Sequence, residues 1–363
     1  MPGIRPNIAA MAGYVPGEQP QDGEYVKLNT NENPYPPSPR VFEAIREALT
    51  GDRLRKYPEP LGDTFRNAAA KVLGISPDQI LIGNGSDDIL TILTRAFVPE
   101  GGLVVSPAPS YLLYKTLAEI QGARFQTVPY TADWNLPDPW PVEHADLTFI
   151  ANPNSPSGTM VDPAVIARLS KRTKGPIVLD EAYADFADDN GLRFAGEPNL
   201  IITRTLSKSY SLAGIRFGFA IGHASVIREL VKVKDSYNCD VLSLTAATAA
   251  IQDQEHLAEM RRKIIATREW MTTELQNEWF RGRGIEILPS QANFVWLRRP
   301  ERMLRPVYAE LRRREILVRH MHYPSFGEGL RVTVGTDEEA KWFVDHFRDA
   351  LFLEEFPLRN PGP

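Results

Sequence analysis

The chain has 363 residues, 43% of them hydrophobic, with 41 basic against 46 acidic side chains and a net charge of −5. That length allows a sizeable core and two domains, and the interspersed charges leave no basic stripe for nucleic acid and no polybasic patch for a membrane. The single cysteine, Cys239, excludes an intramolecular disulfide and a cysteine-based metal cluster; no run approaches the ~18 apolar residues of a membrane span, residues 1–6 lack a secretory apolar region, and cytoplasm is the expected location.

Residues 1–38 are rich in proline, glycine and asparagine and read as an arm laid across other structure, with Tyr14, Asn31, Asn33 and Tyr35 its chemically suggestive members. From residue 39, helix-spaced segments at 41–49, 65–73, 86–97, 111–121 and 163–172 alternate with strand-like runs at 80–82, 103–106, 124–128, 147–151, 177–179, 200–203 and 217–221. Such alternation predicts an α/β domain over 39–250, built on a mainly parallel sheet flanked by helices. The pattern then changes to long helices, among them a charged amphipathic one over 254–279 suited to bridging two domains. A smaller α+β domain over 251–363, joined by part of the arm, is expected to hold strands near 285–288, 294–297, 316–319 and 331–334 and helices near 303–313 and 337–351. The Pro-rich tail, 356–363, is expected to fray.

Three segments carry chemistry. Gly83-Asn84-Gly85-Ser86-Asp87 follows a strand and opens a helix, so its glycines and free backbone N–H groups form a phosphate seat, with Ser86 placed to cap the helix. Asp180 ends the strand-like run 177–179, with Tyr183 three residues on: a carboxylate at a parallel strand's carboxyl end can hold a ring nitrogen protonated, and the phenol can bond a ring oxygen. Thr205-Leu206-Ser207-Lys208 follows the strand at 200–203, with Arg216 eight residues beyond the lysine. Burial and that nearby cation lower the lysine's pKa, while Thr205, Ser207 and Arg216 are suited to phosphate oxygens. No Gly-x-Gly-x-x-Gly follows a strand and no P-loop sequence exists, which counts against dinucleotide or nucleoside triphosphate sites.

In this order the three segments resemble the fold-type I pyridoxal-phosphate (PLP) aminotransferases. The sequences around Asn29-Thr30-Asn31-Glu32-Asn33-Pro34, Lys56-Tyr57-Pro58, Asp235-Ser236-Tyr237-Asn238 and Leu330-Arg331-Val332-Thr333 narrow the resemblance to the histidinol-phosphate aminotransferase branch. The resemblance implies that Lys208 bonds PLP covalently and, once displaced, moves the proton between substrate and cofactor. It implies that Asp180 pairs with the pyridine nitrogen, that Tyr183 bonds the 3-oxygen and that Tyr111 stacks on the ring. Gly85, Ser86, Asp87, Thr205, Ser207 and Arg216 then surround the phosphate, and Tyr57 reaches the phosphate of a neighbouring subunit in a homodimer. Tyr14 and Asn31 of the arm are implied as substrate contacts. One departure is plain: the family's Asn-Pro-Thr-Gly, whose asparagine bonds the 3-oxygen, is here Ser155-Pro156-Ser157-Gly158, and Asn152 and Asn154 are the candidates to supply the missing amide.

The substrate expected is L-histidinol phosphate, with 2-oxoglutarate as acceptor, so the pocket needs fork-shaped cations that accept either phosphate or carboxylate. Arg331, set by strand alternation away from its apolar neighbours, is the first candidate, and Arg319 at a strand end is the second. The alternatives on the same scaffold are an aromatic amino-acid aminotransferase and a PLP-dependent decarboxylase of a phosphorylated amino acid. His320 and His322 could share a strand face, but no third metal ligand is evident and no metal is expected.

Overall fold

The computed structural model describes residues 3–13, 16–20, 23–324 and 326–355. Twelve strands run in chain order: β1 (Val26–Leu28), β2 (Ile80–Gly83), β3 (Leu103–Ala108), β4 (Arg124–Pro129), β5 (Leu147–Ala151), β6 (Ile177–Asp180), β7 (Leu200–Thr205), β8 (Gly218–Ile221), β9 (Glu286–Ile287), β10 (Phe294–Arg298), β11 (Ile316–Tyr323) and β12 (Gly327–Thr333). They form a seven-stranded sheet of order β2-β8-β7-β6-β5-β3-β4 and a five-stranded sheet of order β1-β11-β12-β10-β9.

The larger sheet is a mixed α/β layer in which β4, β3, β5, β6 and β7 are mutually parallel, while β8 runs antiparallel to both its neighbours. Its central strands are apolar almost without interruption because both faces are covered. Ile177, Leu179, Leu200 and Ile202 enter one core cluster, and Val178 and Ile201 enter the other. Full burial of each such aliphatic side chain stabilises by about 1.5–3 kcal/mol, which fixes strand register and hence the positions of the residues at the strand ends.

The smaller sheet has its own core, in which Val295, Leu297, Val318, Leu330 and Val332 meet Ile264, Met271 and Leu275 of the helix Gln254–Leu275 and Phe343 and Phe347 of the helix Asp337–Glu355. The arm contributes β1, which pairs in parallel with β11, Val26 opposite Ile316. That strand was not evident from the sequence, since three residues give no alternation to read. β11 also runs on to Tyr323, placing Arg319 within the strand and not at its end. No helix among the described residues is long and apolar enough to cross a membrane.

Candidate active site

The carboxyl ends of β5, β6 and β7, the start of the helix Ser86–Phe97, residues 29–32 of the arm and the β11–β12 hairpin together enclose a cavity of about 310 Å³. Of the residues singled out in the sequence, Asn31, Ser86, Asp87, Tyr111, Ser155, Asp180, Tyr183, Thr205, Ser207, Lys208, Arg216, Arg319 and Arg331 all line it. Gly85, Asn152 and Tyr57 do not, and Tyr14 and the tail 356–363 lie outside the described residues.

At one end is a seat for an anion. Gly85, not Ser86, is the N-cap of the helix Ser86–Phe97, and it supplies no side-chain cap, so the first N–H groups are left to point outward with the positive end of the helix dipole behind them. Gly85 has φ +84°, and a Cβ there would lie 2.7 Å from Arg216 Nη2, so only glycine lets the guanidinium close over the turn. Gly218 is equally constrained from behind, where a Cβ would meet the Ser86 nitrogen at 2.5 Å. From the other side the Thr205 hydroxyl donates to Ser207 Oγ (3.1 Å), Arg216 Nη1 donates to the same Oγ (3.4 Å), and Arg216 pairs with Asp87 at 3.5 Å.

Asp180 stands at the other end. Its carboxylate is 5% exposed and accepts hydrogen bonds from the Tyr114 phenol (2.7 Å) and the Thr203 hydroxyl (3.1 Å). Among the described residues no lysine or arginine forms an ion pair with it, and burial raises its pKa above the ordinary carboxylate value despite those two donors. A buried carboxylate of this kind is completed by a cationic N–H arriving with a ligand. Tyr114 is itself fixed by stacking on Phe149, with centroids 4.7 Å apart, and Tyr111 meets its edge at 5.5 Å. Tyr111 precedes the helix Leu113–Gln121 and its hydroxyl donates to Asp87 at 3.3 Å. Tyr114 and Thr203 escaped the sequence reading. A phenol in a helical apolar pattern reads as core, whereas the polar Thr203 in the wholly buried strand β7 was a usable signal.

Lys208 lies between these ends. Burial, then the charge of Arg331 and less strongly that of Arg216, lower its pKa to about 8, against the opposing pull of Glu32 and Asp87. The cation named by sequence spacing, Arg216, is thus the lesser of the two. Nζ donates to the Thr30 carbonyl oxygen at 3.1 Å and lies 6.0 Å from the centre of the Tyr183 ring. Glu32 is pushed up by burial, but its ion pair with Lys27 and the Thr30 hydroxyl outweigh this and hold it ionised.

On the far wall Arg319 and Arg331 are direct cross-strand partners in the antiparallel β11–β12 pair. Arg331 Nη1 donates to Ser155 Oγ (3.0 Å) and Nη2 to the Asn29 carbonyl (3.2 Å), while Nε is buried without a hydrogen-bond partner. Arg319 donates to the Pro16 carbonyl of the arm at 2.9 Å. The two asparagines expected to replace the missing amide are engaged elsewhere. Asn152 bonds both the carbonyl and the N–H of Val161 (2.9 and 2.8 Å), and Asn154 donates to Pro109 O and Ser157 Oγ and accepts from Ser110 Oγ. Asn152 therefore stabilises its own loop and does not face the cavity. No group of three or more His, Cys, Asp or Glu suited to a metal occurs among the described residues, and His320 instead bonds Glu328 at 2.8 Å.

An uncapped helix terminus with hydroxyls and an arginine at one end, a buried carboxylate lacking a cation at the other, and a lysine of lowered pKa between them fit a phosphorylated, basic aromatic aldehyde. Comparisons with known proteins point to a family that uses such an aldehyde. Residues 23–347 match the family model of aminotransferase class I and II. A histidinol-phosphate aminotransferase of Rhodopirellula baltica is 50% identical over 92% of this chain and 92% of its own length, and one of Geotalea uraniireducens is 45% identical over 95% and 99%. The crystal structure of histidinol-phosphate aminotransferase from Sinorhizobium meliloti, in complex with pyridoxal-5'-phosphate, superposes with a TM-score of 0.85 at 26% identity, covering 97% of this chain and 98% of that one.

Proposed function

The chain belongs to the class I and II aminotransferases, and we propose that within them it transfers the amino group of L-histidinol phosphate to 2-oxoglutarate, a step of histidine biosynthesis, using pyridoxal 5'-phosphate. The observation that carries the substrate reading is the Arg319–Arg331 pair. Like charges directly opposite on one sheet face destabilise a strand pair, yet both guanidinium groups are turned to the cavity wall beside Lys208. An anion between them removes that repulsion, and a phosphate ester supplies more charge and more acceptors than a carboxylate.

Bound in the cavity, the cofactor supplies an aldehyde carbon that takes up the amino group and an electron-withdrawing ring that delocalises the electron pair left by the departing α-proton. Asp180 holds the ring nitrogen's proton, and Tyr114 and Thr203 keep that carboxylate ionised and oriented. The open turn at Gly85–Asp87, with Thr205, Ser207 and Arg216, holds the phosphate. Tyr183 would bond the ring oxygen, and Tyr111 would offer the ring an aromatic surface. Lys208, whose amine has a pKa lowered to about 8, would be the base that takes the α-proton and returns it on the far side of the amino nitrogen, at the carbon that was the aldehyde. Arg331 and Arg319 hold the donor's phosphate and then the acceptor's carboxylate, as the two half-reactions alternate.

The working unit is a homodimer in this reading. Tyr57 is 80% exposed, stacked on Tyr237 at 4.4 Å, and lies outside the cavity of its own chain. Phe42, Leu49, Leu54 and Tyr237 add exposed apolar surface, of the kind that marks a protein interface. The deciding experiment compares kcat/KM for histidinol phosphate and phenylalanine with 2-oxoglutarate as acceptor. A ratio well above one is expected, falling in Arg319→Ala through loss of the phosphorylated donor. A ratio below one would assign the chain to aromatic amino acids instead.

A further inference from the structure

Among the described residues Asn31 is the one arm residue in the cavity wall with a left-handed backbone, φ 56°, and it is 1% exposed. A non-glycine residue in that region is strained, and it persists where surrounding bonds over-determine it. Those bonds come from two adjacent strand ends of the smaller sheet. Asn293 Nδ2, immediately before β10, donates to the Asn31 carbonyl at 3.0 Å, and Thr333, the last residue of β12, bonds both the backbone and the side chain of Asn31.

The polarity of this chain of bonds is fixed at its origin. The Asn31 backbone N–H can only donate, and it donates to Thr333 Oγ1 at 2.9 Å. The Thr333 hydroxyl, 2% exposed, then directs its own proton to Asn31 Oδ1 at 3.2 Å, which leaves Nδ2 facing the Tyr183 phenol oxygen, to which it donates at 2.8 Å. The reversed amide would take away the acceptor of the Thr333 hydroxyl proton, so the orientation described is the one that gives every donor in this chain of bonds a partner. Since the phenol oxygen accepts from Asn31, its own proton cannot be directed there. The ring is held edge-on against Phe294 at 5.0 Å, and charged groups facing it among the described residues include Lys208 and, beyond Phe294, Arg331.

We propose that Asn31 is a positioning residue through which the smaller sheet turns the Tyr183 hydroxyl proton into the cavity, toward the ring oxygen of the cofactor. The role goes beyond the substrate contact expected of an arm residue, and it rests on the pyridoxal phosphate reading. It also joins the two sheets at the point where the cofactor is tuned: Thr333 and Asn293 belong to one, and Tyr183 follows β6 of the other.

The test is the pH titration of the bound cofactor's visible absorption band, a readout independent of turnover. A donor to the ring oxygen favours the form that has lost its proton, so removing the donor moves the midpoint to higher pH. Tyr183→Phe should raise proton affinity on the order of tenfold to a hundredfold. Asn31→Gly keeps the left-handed backbone without strain and deletes only the amide; it should raise the midpoint by a smaller step, and should add nothing in the Tyr183→Phe background. Thr333→Val should move the midpoint the same way and Thr333→Ser should leave it in place. An Asn31→Gly midpoint equal to that of the parent, or an equal step in both backgrounds, would overturn the proposal. A parent protein that binds no pyridoxal phosphate would overturn the cofactor reading itself, and the proposal with it.

Discussion

Replacing Lys208 by methionine should make the cofactor-free protein more stable at neutral pH, although Lys208 is the residue proposed to carry turnover. Burial and the Arg331 and Arg216 charges lower its pKa from 10.5 to about 8, and at ~1.4 kcal/mol per factor of ten this corresponds to roughly 3 kcal/mol held against the folded state while the amine is protonated. The amine is partly open to the cavity, and methionine forfeits the bond to the Thr30 carbonyl, worth about 1 kcal/mol; with solvent screening the expected net gain is about 1–2 kcal/mol. The folded pKa lies below the unfolded one, so the cost is fully present below pH 8, is relieved between pH 8 and 10.5, and is absent above. Denaturant unfolding of the two cofactor-stripped proteins, at one protein concentration across pH 7–11, reads the difference directly, because every other titrating group cancels. The two curves should approach each other above pH 8 and cross before pH 10.5, where lysine leads through the Thr30 bond. A methionine variant less stable at pH 7, or a difference that does not shrink with rising pH, would refute the account of how this lysine is activated.

Tyr114→Phe should leave the fold nearly unchanged, since the stack on Phe149 is kept, but weaken cofactor binding by roughly 1–2 kcal/mol because Asp180 loses a donor and becomes harder to ionise; equilibrium dialysis of the cofactor checks it. Gly85→Ala should cost ~1–2 kcal/mol of cofactor affinity, as the φ of +84° strains a residue with a Cβ and the Arg216 guanidinium, 2.7 Å from that Cβ, would have to move off the turn, and pyridoxal without its phosphate should be far less sensitive to the change. Tyr57→Phe should weaken the cofactor by ~0.5–1.5 kcal/mol only at concentrations where sedimentation shows a dimer, and a fully active monomer would remove its basis.

The larger sheet was legible because parallel strands covered on both faces leave near-continuous apolar runs, and a run such as that at 200–203 has few other uses. Asp180 and Thr205 stood out as polar groups ending such runs, which is where ligands meet open α/β sheets. What pattern could not reveal is contact across the fold. Tyr114 reaches Asp180 over 66 residues, Arg204 buries itself against Glu181 and Asp185, and Asn31 answers to Thr333 across 302. In each case the residue's own neighbours give an ordinary local pattern, and its role is set by which strand end it faces.

Ser155 shows how a departure from a motif acquires a different meaning in three dimensions. By sequence its hydroxyl is a short substitute for an amide, and the nearby asparagines look available to cover the loss. Their hydrogen bonds to Val161, Pro109 and Ser157 instead build the turn that presents Ser155. The hydroxyl, so presented, accepts from Arg331 Nη1 while the Asn29 carbonyl takes Nη2, and Phe294 lies under the guanidinium with its centre 5.4 Å away. A guanidinium gripped on one side by neutral acceptors and backed by an aromatic face keeps its orientation without a carboxylate to neutralise it. Its full charge therefore reaches both the cavity and the amine of Lys208, so that the arginine proposed to recognise the donor also helps strip the lysine of its proton.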